Sequence, residues 1–124
     1  MKPSPRISET EWEIMRIIWS KGTASAGDVI VFLQALNAGW HPKTIKTFLG
    51  RLVAKGALGF RKEGRAYVYY PLVEEKDSVT AASENFLQRV FGGSLKPMLA
   101  HFVEHKKLSN AEIRELKKLL DQGK

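Results

Sequence analysis

Residues 41–56 read HPKTIKTFLGRLVAKG, a basic segment opened by a proline and interrupted by a glycine at position 50. Pro42 suits a first helical turn, where its missing N–H and fixed φ do no harm. Gly56 suits the position just past a helix end. At about 100° per residue, Ile45, Phe48, Leu49 and Leu52 fall on one side, within about 100° of arc, and predict a buried stripe. Lys43, Thr44, Lys46, Thr47, Gly50, Arg51 and Ala54 fall on the other. A glycine inside a helix costs about 1 kcal/mol relative to alanine, so the exposed side needs a reason to keep one. Thr47, Gly50 and Ala54 hold its centre low, and Lys43, Thr44, Lys46 and Arg51 surround them. That relief suits entry between two rails of phosphate in a major groove about 12 Å wide. The threonines suit base edges or thymine methyls, and the cations suit phosphate or guanine. The plain alternative is a solvated face whose small residues fell there by chance.

Residues 57–73, ALGFRKEGRAYVYYPLV, follow directly and predict a hairpin. Short apolar and aromatic runs flank a turn expected around Arg61-Lys62-Glu63-Gly64. Arg61, Lys62 and Arg65 crowd that turn, where a wing beside the helix would meet the neighbouring DNA backbone. Upstream, ISETEW (7–12) places Ser8 three residues before Glu11 as a capping box, with Ile7 and Trp12 as its hydrophobic staple. Trp12, Met15, Ile18 and Trp19 then share a face, and Gly22 offers a stop. SAGD (25–28) repeats the box with an aspartate, and Val29, Ile30, Phe32, Leu33 and Leu36 predict a second buried stripe ending at Asn37-Ala38-Gly39. Helix, helix, helix, hairpin is the order of a winged helix-turn-helix domain, assigned to residues 1–73.

From Glu74 the pattern changes. Val79, Phe86, Leu87, Val90 and Phe91 predict a long helix stopping at Gly92-Gly93. Leu95, Met98, Leu99, Phe102 and Val103 predict a second. LSNAEI (108–113) opens a third with another capping box, Ser109 and Glu112, behind which Ile113, Leu116, Leu119 and Leu120 form a stripe. Three apolar stripes in residues 74–124 have little to bury against within that segment. A second copy is the economical partner, which assigns dimerisation to Phe86, Val90, Leu95, Met98, Leu99, Phe102, Val103, Ile113, Leu116 and Leu120. The alternative is packing back on the N-terminal domain.

Net charge is +7 over 124 residues. Residues 1–73 hold 11 Lys/Arg against 5 Asp/Glu, and residues 74–124 hold 9 against 8. The basic excess thus sits with the predicted wing and helix, as expected of a half that meets a polyanion. The absence of cysteine excludes a disulfide framework, a thiolate metal site and a cysteine nucleophile, and it fits a reducing cytosol. No run approaches the length of a membrane span or resembles a signal peptide. A cytoplasmic protein without membrane partner is expected.

Residues 5–73 resemble the penicillinase repressor family of bacterial transcription factors, the BlaI/MecI/CopY group. The likeness rests on ISETEWEIMRIIW and on GWHPKTIKTFLGRLVAKGALGFRKEGRAYVYYPLV, and it continues through FLQRVFGGS, HFVEHKKLS and EIRELKKLLD. The resemblance implies a mainly α protein with a small β-hairpin wing, joined to a C-terminal helical dimerisation domain. It implies a homodimer that binds a two-fold, double-stranded operator and represses transcription. Family DNA contacts map onto Lys43, Thr44, Lys46, Thr47 and Arg51 and onto the basic wing. His41 stands where the family usually has a small capping residue, and it is kept with Gly50 among the candidate DNA-binding residues.

Two departures bear on the signal. In β-lactam-responsive members, a regulatory protease cuts an Asn-Phe bond in the C-terminal domain. The aligned pair here is His101-Phe102, the candidate cleavage position, so a same-family repressor answering another signal is the alternative. Copper-responsive members use a cysteine-rich tail, which this chain lacks. The sequence HFVEH (101–105) also has the order of an inverted zinc-peptidase motif, with His101 and His105 one helical turn apart. A hydrolytic site needs a third protein ligand and a dry pocket, so no metal, no cofactor and no enzyme activity are expected. A winged-helix adaptor that docks proteins is the rival from another class; it would expose apolar residues where this chain is basic.

Overall fold

The computed structural model describes residues 5–36 and 39–123. Asn37 and Ala38, expected to close the second helix, lie outside the described residues. The element order is α1 (Glu9–Lys21), β1 (Ala24–Ser25), α2 (Ala26–Leu36), α3 (Pro42–Ala54), β2 (Leu58–Glu63), β3 (Ala66–Pro71), α4 (Glu75–Phe91), α5 (Leu95–Glu104) and α6 (Asn110–Gln122). The chain divides into two units, Met1–Ala82 and Ser83–Lys124, with the boundary inside α4.

Helix starts follow the written caps. The Ser8 hydroxyl accepts the Glu11 N–H at 3.3 Å, and the Glu11 carboxylate accepts the Ser8 N–H at 2.9 Å. Ser25 and Asp28 exchange the same pair of bonds at 3.1 and 3.4 Å, and Ser109 and Glu112 at 3.1 and 2.9 Å. Glu112 thereby titrates below the ordinary carboxylate range, because the Ser109 N–H and then its hydroxyl bond the charged form. At the end of α3, Gly56 takes φ +82°, and the N–H groups of Gly56 and Ala57 bond the carbonyls of Val53 and Leu52. This is the Schellman closure that a left-handed glycine permits.

In the first unit, α1, α2 and α3 enclose a core of Ile14, Met15, Ile17, Ile18, Val29, Leu33, Ile45, Leu49 and Leu52, sealed by Ala24, Ala57 and Leu58. Two expectations are corrected. Phe32 and Leu36 of α2 are 45% and 76% exposed rather than buried. Val29 and Leu33, an i, i+4 pair, are the buried residues of α2, and Ala26 and Ile30 pack partly against the same core. Leu36, by contrast, lies at the last position of the helix, and Phe32 lies under the Lys21 ammonium, 4.4 Å from its ring centroid.

The hairpin turn is the second correction. β2 runs through Glu63, which pairs with Ala66, so the loop is Gly64-Arg65 and not Arg61–Gly64. Gly64 alone has positive φ (+62°), the pattern of a type II′ turn whose twist matches the flanking strands. Arg61 and Lys62 therefore sit in β2. A two-residue strand unseen in the sequence, β1, pairs antiparallel with β3 through Ala24 and Tyr69, and the sheet order is β1-β3-β2. The Trp19 indole donates to the Val73 carbonyl at 3.0 Å, tying the chain after the hairpin back to α1.

The second unit holds the remainder of α4 with α5 and α6. Gly92 and Gly93, with φ +62° and +86°, end α4 where the glycine pair was expected to. No residue of α5 or α6 is buried. Among the described residues, no helix is long and apolar enough to cross a membrane.

Candidate nucleic-acid interface

The geometry of α3 separates its two sides as the angular sorting predicted. Ile45, Leu49 and Leu52 are buried, and Phe48 is half-buried edge-on to Trp40 at 6.4 Å. Lys43, Thr44, Lys46, Thr47, Gly50, Arg51 and Ala54 are all exposed. His41 caps the helix through its ring, Nδ1 accepting the Lys43 N–H at 3.1 Å. An imidazole nitrogen thus replaces the small side chain usual at such a cap.

On the exposed side, the Thr47 hydroxyl donates to the Lys43 carbonyl at 3.0 Å. With that bond kept, its oxygen can only accept, and its methyl remains for apolar contact. Arg51 lies with Cζ 5.2 Å from the Phe48 ring centroid, which holds the guanidinium against the flank of the helix. Among the described residues, Lys43, Lys46 and Arg51 enter no ion pair. Among the described residues outside its own helix, nothing lies within 4 Å of where a Cβ on Gly50 would stand. The glycine is therefore not required by packing inside the chain.

The three wing cations do not form one cluster. Alternation along β2 puts Lys62 on the face it shares with Phe60, Tyr67 and Tyr69, and puts Arg61 on the opposite face with Val68 and Tyr70. Arg61 pairs with Glu63 and lies 5.9 Å from the Tyr70 ring centroid, so part of its charge is already engaged. Arg65 stands at the turn. Phe60 and Tyr67 meet edge-on at 5.6 Å and are 49% and 46% exposed, an aromatic pair beside Lys62 that the sequence pattern did not single out as a surface. The Tyr69 hydroxyl titrates above its ordinary value, through burial first and the neighbouring Tyr67 second.

One pair behind α3 also escaped the sequence reading. Lys55, the C-cap of α3, reaches the buried Glu11 of α1 at 2.6 Å and the Arg6 carbonyl at 2.8 Å. Glu11 reads as a capping-box residue, and nothing in a capping box says that its carboxylate has a distant cation.

In the second unit, Met98, Leu99, Phe102, Ile113 and Leu116 are half-buried, and Phe86, Val90, Leu95, Val103 and Leu120 are exposed. His101 and Phe102 lie within α5. The His101 and His105 rings are 4.2 Å apart, with His105 Nδ1 2.8 Å from the His101 carbonyl oxygen. Among the described residues, no three histidines, cysteines or carboxylates come together as metal ligands.

Comparison with known proteins adds the following. A family model described as Penicillinase repressor matches residues 7–122. The penicillinase repressor of Bacillus licheniformis is 42% identical over 124 residues, 100% of this chain and 96% of the relative. The methicillin resistance regulatory protein MecI of Mammaliicoccus sciuri is 41% identical, covering 94% of each. The solution structure of monomeric BlaI from Bacillus licheniformis, in complex with the blaP half-operator, superposes with TM-score 0.52 at 44% identity, covering 62% of this chain and 93% of that one.

Proposed function

This chain belongs to the penicillinase repressor family, and from that premise we propose a homodimer that presents α3 of each subunit to successive major grooves of a two-fold operator. It is a DNA-binding transcriptional repressor and not an enzyme. Residues 1–73 bind DNA, residues 74–124 hold the dimer, and repression follows from occlusion of promoter DNA in the cytoplasm. The observation that carries the reading is the exposed side of α3, where, among the described residues, Lys43, Lys46 and Arg51 have no carboxylate partner and nothing stands over Gly50. Thr44 and Thr47 supply base contacts, and the cations with His41 supply phosphate contacts. Lys62 and Arg65 extend the contact from the wing, with Arg61 contributing once released from Glu63. The dimer reading is supported by α5 and α6, amphipathic helices without one buried residue.

The MecI relative favours a β-lactam resistance system with a regulatory protease. His101-Phe102 favours a second reading, the same repressor answering another signal. His101 replaces the asparagine of the cleaved members, and the bond lies in the helical backbone of α5, which must unwind before it can be cut.

Fluorescence anisotropy with two duplexes, one carrying the blaP half-operator and one of scrambled sequence, tests the proposal. Wild-type protein binds the first more tightly. Thr47→Ala narrows the difference between the duplexes. Lys46→Ala weakens both and lowers the salt slope by about 0.9, the release accompanying one phosphate contact. Unchanged binding in both variants would remove α3 from the interface.

A further inference from the structure

The Glu11 carboxylate is 1% exposed, and it holds two donors from different directions. One is the Ser8 N–H at 2.9 Å, which fixes the carboxylate to the start of α1. The other is the Lys55 ammonium at 2.6 Å, which arrives from the C-cap of α3. Lys55 donates a further bond to the Arg6 carbonyl at 2.8 Å. The last turn of α3 is thereby bound to the first turn of α1 and the residues before it.

Behind this pair the two helices share an apolar core: Ile14, Met15 and Ile18 from α1, and Ile45, Leu49 and Leu52 from α3. Apolar contact is non-directional, and it resists separation better than it resists rotation or sliding. A charged hydrogen bond has a preferred length and angle and resists both. The amount at stake is set by geometry. Side chains of a helix end about 5 Å from its axis, so a rotation of about 20° carries them about 2 Å. That exceeds the tolerance of a hydrogen bond to a base edge.

We infer that Lys55, although it lies in the basic run of α3, is not a DNA contact but a positioning residue: with Glu11 it fixes the rotation and axial setting of α3, so that Thr44 and Thr47 meet base edges. The inference rests on the assignment of α3 to the operator, and it adds which residues aim that helix. Glu11 has no role on the DNA side. Its value is as a buried, pre-oriented acceptor that a lysine of the correct reach must satisfy.

Lys55→Met, Lys55→Arg and the double variant Glu11→Gln/Lys55→Met test it, each confirmed as folded by circular dichroism before titration with the same two duplexes. Wild-type binding, run alongside, reports on the assignment of α3 itself; its absence would sink that assignment and this one with it. With wild-type discrimination present, Lys55→Met loses about tenfold in affinity for the blaP half-operator duplex, the equivalent of one base contact. Its affinity for the scrambled duplex stays unchanged, and the salt slope is unaltered because no phosphate contact is lost. Lys55→Arg restores the discrimination. The double variant removes both charges, so it folds even where the single variant leaves Glu11 buried without a partner and does not. It shows the same loss of discrimination. A salt slope reduced by about one in Lys55→Met would make Lys55 a phosphate contact and overturn the inference. Folded variants that discriminate as well as wild type would reduce the pair to a structural bond and overturn it equally.

Discussion

Helices α3 and α6 are each 13 residues long, and both are amphipathic. α3 buries Ile45, Leu49 and Leu52 completely, whereas α6 buries nothing. The difference lies in what surrounds them. α3 has α1, α2 and the start of β2 to pack against, so its apolar side is consumed and only its basic side faces outward. α5 and α6 carry apolar stripes too, but Met98, Leu99, Phe102, Ile113 and Leu116 are only half-buried, and neither helix has a buried residue. An amphipathic pattern thus states that a helix has an apolar side, and it does not state where the opposing surface comes from. In the first unit the chain supplies it. In the second, the proposed second copy does.

The largest effect that separates the two helices is expected from truncating each stripe. Leu49→Ala should destabilise the protein by about 2–5 kcal/mol in urea unfolding, because it empties a fully enclosed site. Leu120→Ala removes a side chain that is 56% exposed. It should leave the unfolding of dilute protein almost unchanged and instead weaken self-association, read by sedimentation equilibrium. A Leu120→Ala loss as large as that of Leu49→Ala in dilute protein would break the comparison, since α6 would then bury its stripe within its own chain.

An intermediate effect belongs to Glu11, the buried charge of the first unit. Burial pushes its carboxyl up, but the bonds from Lys55 and Ser8 and the Lys55 charge together outweigh it, so its pKa lies below the ordinary value. A lowered folded pKa contributes stability above the unfolded value, about 4.3, which is lost as pH falls through the folded one. The thermal stability of wild type should therefore fall as pH drops through that acid window, and the Glu11→Gln variant should show a flatter dependence there from a lower starting stability. Glu112 is also lowered but stands at an exposed cap, so Glu112→Gln should change the same profile far less.

The smallest effects concern the backbone, and they sharpen the contrast at single residues. Gly50→Ala should raise stability by about 1 kcal/mol, because among the described residues the added methyl meets nothing outside its own helix and the helix gains propensity. Its operator affinity then reports directly on clearance against DNA. In the second unit, Lys106 takes φ +55° just after α5, where its N–H bonds the Val103 carbonyl. Lys106→Gly should relieve about 1 kcal/mol of left-handed strain, seen as a higher unfolding midpoint.

The elements most fully legible in the sequence were those governed by local chemistry. Three capping boxes, the Pro42 start and the Gly56 and Gly92-Gly93 stops each concern a few neighbouring residues, and each formed as written. The sides of α3 were legible too, because a helix of fixed pitch converts spacing into angle. Phe32 and Leu36 depart from the pattern for a reason of the same kind: periodicity gives a direction, but the width of the buried strip depends on how far α1 and α3 reach. The turn of the wing is not legible in the sequence, because charged residues in β2 resemble a loop, and only the pairing of Glu63 with Ala66 shows that the strand continues past them.

By itself, then, the sequence determined where α1, α2, α3 and α6 begin and where α1, α3 and α4 end, which side of α3 is basic, and which family the chain resembles. All of these depend on bonds and spacings within a few residues, or on patterns that relatives share. Tertiary structure decided that Arg61 and Lys62 face apart, that Phe60 and Tyr67 form a surface pair, and that Lys55 spends its charge on Glu11 rather than on solvent. The first depends on β2 continuing through both residues, and the other two join residues 7 and 44 positions apart, where no local rule specifies a distance. Gly50 lies between the two cases. Its place on the basic side follows from spacing, and the open space beyond it follows only from the packing of α3 against everything behind.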